Sequence, residues 1–228
     1  MKQLLFILLT TYTLVADALP KSIQTTITNI DATGRVQLAT SVPKGMSGVV
    51  IHNYSNGLFA ITHKIISLGN GSATSEPYTA TRHENIPTVK TNIQLKDKVI
   101  LGGFYNNALV IAPNIETYDA ITHQFHKTWI HPDAYAVEFM KEGQSAISLE
   151  SLRRFATINQ VGLILIATRE GLRILDPISQ TFLGQLPLTI KGSKTLNPFF
   201  TRFQQQDASL FSFGNREYSD YYQAIKAL

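Results

Sequence analysis

The stretch KVILGGFYNNALVIAPN, from Lys98 to Asn114, holds the pattern that decides the fold. Two short apolar runs, 99–101 and 108–112, flank a Gly-Gly pair and an Asn-Asn pair. Short runs that are rich in β-branched residues and bounded by turn formers predict buried strands rather than helices. A second pair of apolar runs, 161–166 and 172–175, follows later in the chain. We expect the two pairs to build one hydrophobic core.

The chain before Lys98 has the pattern of short strands joined by tight turns. Alternating apolar and polar residues predict strands over 21–30, 35–38, 47–54, 58–68 and 72–80. Asp31-Ala32-Thr33-Gly34 and Ser55-Asn56-Gly57 are typical turn sequences between antiparallel strands. The polar stretch 81–91 is predicted to be a loop, and loops often carry recognition.

The hydrophobic period changes from 2 towards 3.6 after Pro113, which predicts helices. Asn114 is the expected N-cap of the first helix, Pro132 the first residue of the second, and Ser148 the N-cap of the third. The apolar faces expected on the first and third helices are Ile115, Tyr118, Ile121, Thr122 and Phe125, and Leu149, Leu152, Phe155, Ala156 and Ile158. Later segments predict a hairpin over 162–175, a strand over 182–188 and an amphipathic helix over 218–228.

These elements together predict an α+β fold. Its β-rich N-terminal half, residues 19–113, consists of hairpins that form a small barrel or a sandwich. The mixed α/β half, 114–228, contains a helical insert, a further β-hairpin and the C-terminal amphipathic helix. We expect both halves to belong to one domain, residues 19–228.

The first 18 residues carry the three parts of a secretory signal peptide. Lys2 supplies the positive charge, residues 4–9 the apolar region, and Ala16-Asp17-Ala18 the cleavage site before Leu19. A membrane anchor is the alternative, but it needs about 20 apolar residues, and threonines and Asp17 interrupt this run. We therefore expect an exported protein with no transmembrane segment once the signal peptide is cleaved.

Composition excludes several classes of function. The 228 residues contain no cysteine, which excludes disulfides, thiolate metal sites and lipid attachment to cysteine. The formal net charge is +4, and its diffuse distribution argues against a nucleic-acid partner. The sequence has no nucleophile elbow and no phosphate-binding loop, so we predict no catalytic residues and no cofactor.

The most suggestive metal-binding constellation is His123, His126, His131 and Asp133. Imidazole and carboxylate groups are zinc ligands. The spacing of His123 and His126, i and i+3 without an embedded Glu, matches no standard zinc site. Histidines near a helix C-terminus also complement the helix dipole. We interpret them as solvent-exposed residues at a helix end and predict no metal site.

Several stretches of the sequence carry a family resemblance: FYNNALVIAPN (104–114), VGLILIAT (161–168) with LRIL (172–175) after it, NPFFTR (197–202) and the Tyr-rich end. They resemble the N-terminal domain of the bacterial plasminogen-binding surface proteins PgbA and PgbB. The resemblance implies a non-enzymatic protein in the periplasm or at the cell surface of a Gram-negative, host-associated bacterium, with host plasminogen as partner. The alternative is a periplasmic structural or assembly domain that contacts only cell-envelope components. A hydrolase is the least favoured possibility.

The resemblance also implies how plasminogen would be contacted. Family members carry a Lys/Glu-rich C-terminal extension that ends in lysine, and kringle pockets recognise an ammonium and a terminal carboxylate together. A terminal Leu228 cannot present that pair, whereas internal lysines beside an acidic residue could imitate it. The candidate binding residues are Lys191, Lys194 and Lys226, with Lys96 and Lys98 as further candidates. The competing interpretation of these lysines is ordinary solvated charge.

Overall fold

The structure, a computed structural model, describes residues 19–79, 91–141, 147–203 and 221–228. Its strands are β1 (Ile23–Ile30), β2 (Val36–Leu38), β3 (Ser47–Asn53), β4 (Phe59–Gly69), β5 (Ser72–Pro77), β6 (Lys98–Leu101), β7 (Asn107–Ile111), β8 (Thr128–Ile130), β9 (Leu163–Thr168), β10 (Gly171–Asp176) and β11 (Thr181–Leu186). Its helices are α1 (Ile115–Gln124), α2 (Pro132–Lys141), α3 (Leu149–Asn159) and the single turn α4 (Tyr221–Ala224). The predicted α+β class is confirmed.

The first six strands close into a barrel in the order β1-β2-β5-β4-β3-β6. Neighbouring strands are antiparallel throughout. Alternate residues point inwards, so that Val50, Ile65 and Val99 are buried while their neighbours face outwards. Of the two predicted arrangements, a small barrel or a sandwich, the structure forms the barrel.

The remaining five strands form a second sheet in the order β11-β10-β9-β7-β8. β7 is parallel to both β8 and β9, whereas β9, β10 and β11 form an antiparallel meander. All six residues of β9 are buried because both faces of this sheet are covered. The sequence prediction missed β8, whose three residues are too few to show a period of two.

The expected single hydrophobic core is wrong, because the buried apolar residues form two clusters. The first cluster fills the barrel and covers one face of the second sheet, including Ala108 and Val110 of β7. The second lies on the opposite face, where Leu109 and Ile111 pack with residues of α2, α3 and α4. The continuous apolar run of β7 therefore supplies both clusters, because successive residues of a strand point to opposite faces.

The N-terminal signals of the three main helices are confirmed. The side chains of Asn114 and Ser148 accept hydrogen bonds from backbone N–H groups in the first turns of α1 and α3, and α2 begins at Pro132. The predicted apolar faces are wrong at two positions, since Ile115 is 41% and Ile158 70% exposed. In α1 the buried face contains Thr117 instead, because its hydroxyl has hydrogen-bond partners there.

Three sequence predictions fall on residues outside the described ranges. These are the signal peptide (1–18), most of the loop at 81–91 and the first part of the C-terminal helix, 218–220. Within the described ranges, no helix is long and apolar enough to cross a membrane.

Asp176, the last residue of β10, is a buried carboxylate that connects the barrel to the second sheet. Its Oδ2 accepts hydrogen bonds from the backbone N–H of Ser47 at 2.8 Å and from the Tyr105 hydroxyl at 2.7 Å. Its Oδ1 accepts from the backbone N–H groups of Ile178 and Ser179, each at 3.0 Å. Burial, reinforced by the negative charge of Asp176, raises the pKa of the Tyr105 hydroxyl far above its usual value, so this group stays a donor.

Replacing Asp176 with Asn should destabilise the fold strongly. The Asn amide has one acceptor oxygen, and its NH₂ group would face N–H or O–H groups that are themselves donors. We therefore expect a loss of about 3 kcal/mol in the free energy of unfolding. The matched change Tyr105→Phe removes one of the four donors and should cost about 1 kcal/mol. Urea unfolding of the two variants checks the difference, and equal losses would contradict this role for Asp176.

Candidate functional site

The N-terminus of α1 holds the loop that carries two of the predicted binding residues, Lys191 and Lys194. Both polar atoms of the Asn114 side-chain amide make hydrogen bonds there. Its Oδ1 accepts a hydrogen bond from the backbone N–H of Thr117 at 2.9 Å, which caps the helix. Its Nδ2 donates to the backbone carbonyls of Lys191 at 2.8 Å and Lys194 at 3.0 Å. One side chain thus caps the helix and fixes the loop.

Further hydrogen bonds immobilise the backbone of this loop. The hydroxyl of the buried Thr117 donates a hydrogen bond to the carbonyl oxygen of Lys191 at 3.1 Å. The same hydroxyl accepts a hydrogen bond from the backbone N–H of Lys191, also at 3.1 Å. The N–H of Leu196 donates to the carbonyl of Pro113 at 2.7 Å. The backbone of the loop is therefore held on α1, while the side chains of Lys191 and Lys194 are exposed to solvent.

A carboxylate lies beside the backbone of the loop, between the two lysines in sequence. A Cβ atom added to Gly192, which has a φ of +73°, would lie 3.0 Å from Oε2 of Glu116. Glu116 occupies the first turn of α1, where a negative charge complements the helix dipole. Within the described part of the chain, neither Lys191 nor Lys194 is held in an ion pair. We call this group, Glu116 with Lys191 and Lys194, the lysine loop.

The other candidate lysines lie on different elements. Lys226 is exposed on the turn after α4, where the Arg173 guanidinium donates to the carbonyl of Leu228 at 2.7 Å. Lys98 is an exposed residue of β6, and Lys96 precedes that strand. Lys191 and Lys194 therefore lie on one loop, whereas Lys226 belongs to the C-terminal turn. Sequence analysis missed Glu116 as part of this group. Its position two residues after the predicted N-cap Asn114 could have indicated it, because acidic residues are favoured in the first turn of a helix.

The histidines considered for a metal site do not come together. His123 lies in the last turn of α1, as predicted, with its Nδ1 atom 2.7 Å from the carbonyl of Asp119. The strand β8 separates His126 from His131. The prediction of an exposed residue is wrong for His131, which is partly buried against Tyr118 and Phe200. In the described ranges, no three metal-ligating side chains are grouped closely enough to hold an ion.

His131 instead belongs to a polar cluster with Asp133 and Arg202. The Asp133 carboxylate accepts from the Arg202 backbone N–H at 2.9 Å and from its guanidinium Nε at 2.6 Å. The N–H of Asp133 donates to Nδ1 of His131 at 3.2 Å. Burial lowers the pKa of His131, and the opposing attraction of Asp133 is weaker. The same Nδ1 atom also lies 3.2 Å from Oδ1 of Asp133, so the imidazole contacts both the backbone and the carboxylate of this residue.

We predict that His131 makes stability depend on pH. Its pKa in the folded state lies below the unfolded value of 6.5, so the unfolded chain binds the proton first as the pH falls. The contribution to the free energy of unfolding is therefore present above about pH 6.5 and is lost as the pH decreases below that value. His63, whose pKa is also lowered by burial, contributes with the same sign.

Urea unfolding between pH 7.5 and pH 5 checks this dependence. The slope of stability against pH should become shallower in His131→Asn than in the matched variant His123→Asn. A slope that is unchanged by His131→Asn would contradict the assignment.

We also predict that Asn114→Ala releases the lysine loop. The change removes the helix cap and two bonds to carbonyls of the loop, so we expect a loss of about 2 kcal/mol in the free energy of unfolding. Trypsin should then cleave after Lys191 and Lys194 faster. Ser148→Ala, which removes the cap of α3, is the control and should not accelerate these two cleavages selectively. Equal acceleration in both variants would show that Asn114 does not hold the loop.

Comparison with known proteins identifies relatives over most of the chain. The family model described as "Plasminogen-binding protein pgbA N-terminal" matches residues 22–228. The chain is 31% identical over 169 residues to "Plasminogen-binding protein PgbA" of Helicobacter pylori strain J99, and to the same degree to that of strain 26695. Each match covers 71% of this chain and 37% of the relative, so the chain spans little more than a third of these proteins. No solved structure matches the chain.

Proposed function

Since the chain belongs to the PgbA N-terminal family, we propose that it is an exported, non-enzymatic binding protein of the bacterial envelope or cell surface. Plasminogen is the proposed partner, because both curated relatives are named for binding it. The naming of these relatives as binding proteins also supports a non-enzymatic role.

The observation that carries this proposal is the lysine loop. A pocket that recognises an ammonium together with a carboxylate needs both groups on one accessible surface. Lys191 and Lys194 supply exposed side chains on a loop whose Gly192 lies beside the Glu116 carboxylate, and the loop backbone is fixed by Asn114 and Thr117. A contact surface that is already ordered loses less conformational entropy on binding than a mobile one. We therefore place the plasminogen contact on this loop, with Lys226 as a second, separate candidate.

The proposed localisation rests on the N-terminal sequence. Residues 1–18 have the charge, apolar run and cleavage site of a signal peptide. We propose that they are removed, and that residues 19–228 act as one domain with a β-rich part, 19–113, and a mixed α/β part, 114–228. The compartment is the periplasm or the outer surface of a Gram-negative cell.

Binding to immobilised plasminogen tests the proposal. Residues 19–228 should bind, and 6-aminohexanoic acid, which carries an ammonium and a carboxylate, should compete. The double variant Lys191→Ala/Lys194→Ala should bind about thirtyfold more weakly, because each of the two charge-assisted contacts contributes on the order of 1 kcal/mol. The matched control Lys21→Ala/Lys44→Ala removes two other exposed lysines and should retain binding.

Two results would contradict the proposal in different ways. Binding that resists the competitor, or that both double variants lose equally, would exclude the lysine loop as the contact. Absence of binding by the unmodified chain would favour a periplasmic structural or assembly role. Protease treatment of intact cells distinguishes these compartments, because only an outward-facing protein should be degraded.

A further inference from the structure

A cleft of about 270 Å³ lies between the outer wall of the barrel and helix α3. The barrel contributes Val49, Lys64 and Ile100, three outward-facing residues that lie side by side on β3, β4 and β6. The facing wall is the side of α3 that carries Arg153 and Thr157. The cleft shares no residue with the lysine loop, so a ligand bound in it is independent of plasminogen binding.

The floor of the cleft is apolar and closely packed. It is formed by the turn 102–105, which connects the barrel to the second sheet, and by Val161, Gly162 and Ile178. A Cβ added to Gly162 would lie 2.2 Å from the carbonyl oxygen of Phe104, so only glycine allows this approach. The floor is thus a fixed part of the junction, and the cleft is a preformed feature.

Two cationic side chains line the cleft, Lys64 and Arg153. Lys64 on the barrel forms an ion pair of 2.8 Å with Glu76, whose side chain is 70% exposed. Hydrogen bonding and attraction by Lys64, together with the positive charge of Arg153, lower the pKa of Glu76. Arg153 lies 3.7 Å from a carboxylate oxygen of Glu150 in its own helix. The positive charges of Lys64 and Arg153 therefore favour a carboxylate in the cleft, and the exposed contact between Lys64 and Glu76 is weak and easily exchanged.

We propose that this cleft binds a small aliphatic carboxylate, a short- or medium-chain fatty acid. The carboxylate pairs with Lys64 and Arg153 in competition with Glu76, and the hydrocarbon chain covers Val49, Ile100 and Val161. The volume lies just below the range of about 300–1,000 Å³ of drug-sized sites, which suits one short chain.

The backbone of the cleft walls favours a fatty acid over a peptide terminus. A bound peptide would need partners for its own N–H and C=O groups. Position 49 of β3 is paired with both β4 and β6, and position 64 of β4 with both β3 and β5. The backbone of α3 is likewise used within the helix. These walls offer side chains and apolar surface, which match a ligand that has polar groups at one end only.

Titration of the chain with octanoate tests the proposal. Chemical-shift changes in the backbone NMR spectrum should be centred on residues of the cleft, with a dissociation constant on the order of a millimolar for so small a ligand. Lys64→Met and Arg153→Met should each weaken binding about three- to tenfold. Glu76→Gln should strengthen it about threefold, because a competing carboxylate is removed. Thr157→Trp should block the cleft without changing its charge.

Controls distinguish this site from non-specific binding. Lys98→Met removes an exposed lysine of β6 outside the cleft and should leave octanoate binding unchanged. Octanol, which has the same chain without the charge, should bind more weakly. Equal binding of octanol, or equal losses in the Lys64 and Lys98 variants, would overturn the proposal. Tighter binding of N-acetyl-leucine than of octanoate would assign the cleft to peptide termini and would also overturn it.

Discussion

The junction between barrel and second sheet depends on a single buried carboxylate. A negative charge is expensive to bury, and Asp176 is tolerated because four donors surround it. The donors come from the start of β3, from the chain between β6 and β7, and from the turn after β10. These four hydrogen bonds fix how the barrel and the second sheet meet, because a shift of either one would leave the Asp176 carboxylate without some of its donors. The turn that forms the floor of the cleft is positioned by the same interaction, because Tyr105 belongs to it.

The sequence predicted the local structure well because local structure has local causes. The Asp31 and Asn56 turns, the Asn114 and Ser148 caps and the 162–175 hairpin all follow from side chains close together in the chain. These signals are strong since Asn, Asp, Ser and Gly stabilise particular backbone angles. The α+β class followed from the order of such elements.

The arrangement of the strands into two sheets could not be predicted from the sequence in the same way. β6 and β7 are separated by one tight turn and look like a pair, yet they belong to different sheets. An apolar run such as 163–167 shows that both faces are buried, but does not show what covers each face. The parallel pairing of β7 with β9 joins residues more than fifty positions apart. Such contacts depend on tertiary packing, which overrides local preference.

The candidate site also has parts that the sequence predicted and parts that only the structure revealed. Lys191 and Lys194 were candidates by composition and by resemblance, and the N-cap Asn114 was predicted independently. Their connection through the Nδ2 atom of Asn114 spans almost eighty residues and required the structure. The role of Thr117 was hidden because a threonine on a helix has no distinctive pattern. The cleft was hidden for a similar reason, because Lys64 and Arg153 are far apart in sequence and line the same cleft only in the folded protein.

The closed barrel has a consequence for association between molecules. The six strands pair in a ring, so none of them is a full-length edge strand on which a foreign strand could dock. In the described part of the chain, the second sheet ends at β8 and β11. β8 has only three residues, whereas β11 has six. Among the edges of the second sheet, β11 is therefore the one long enough to accept a partner strand over several residues.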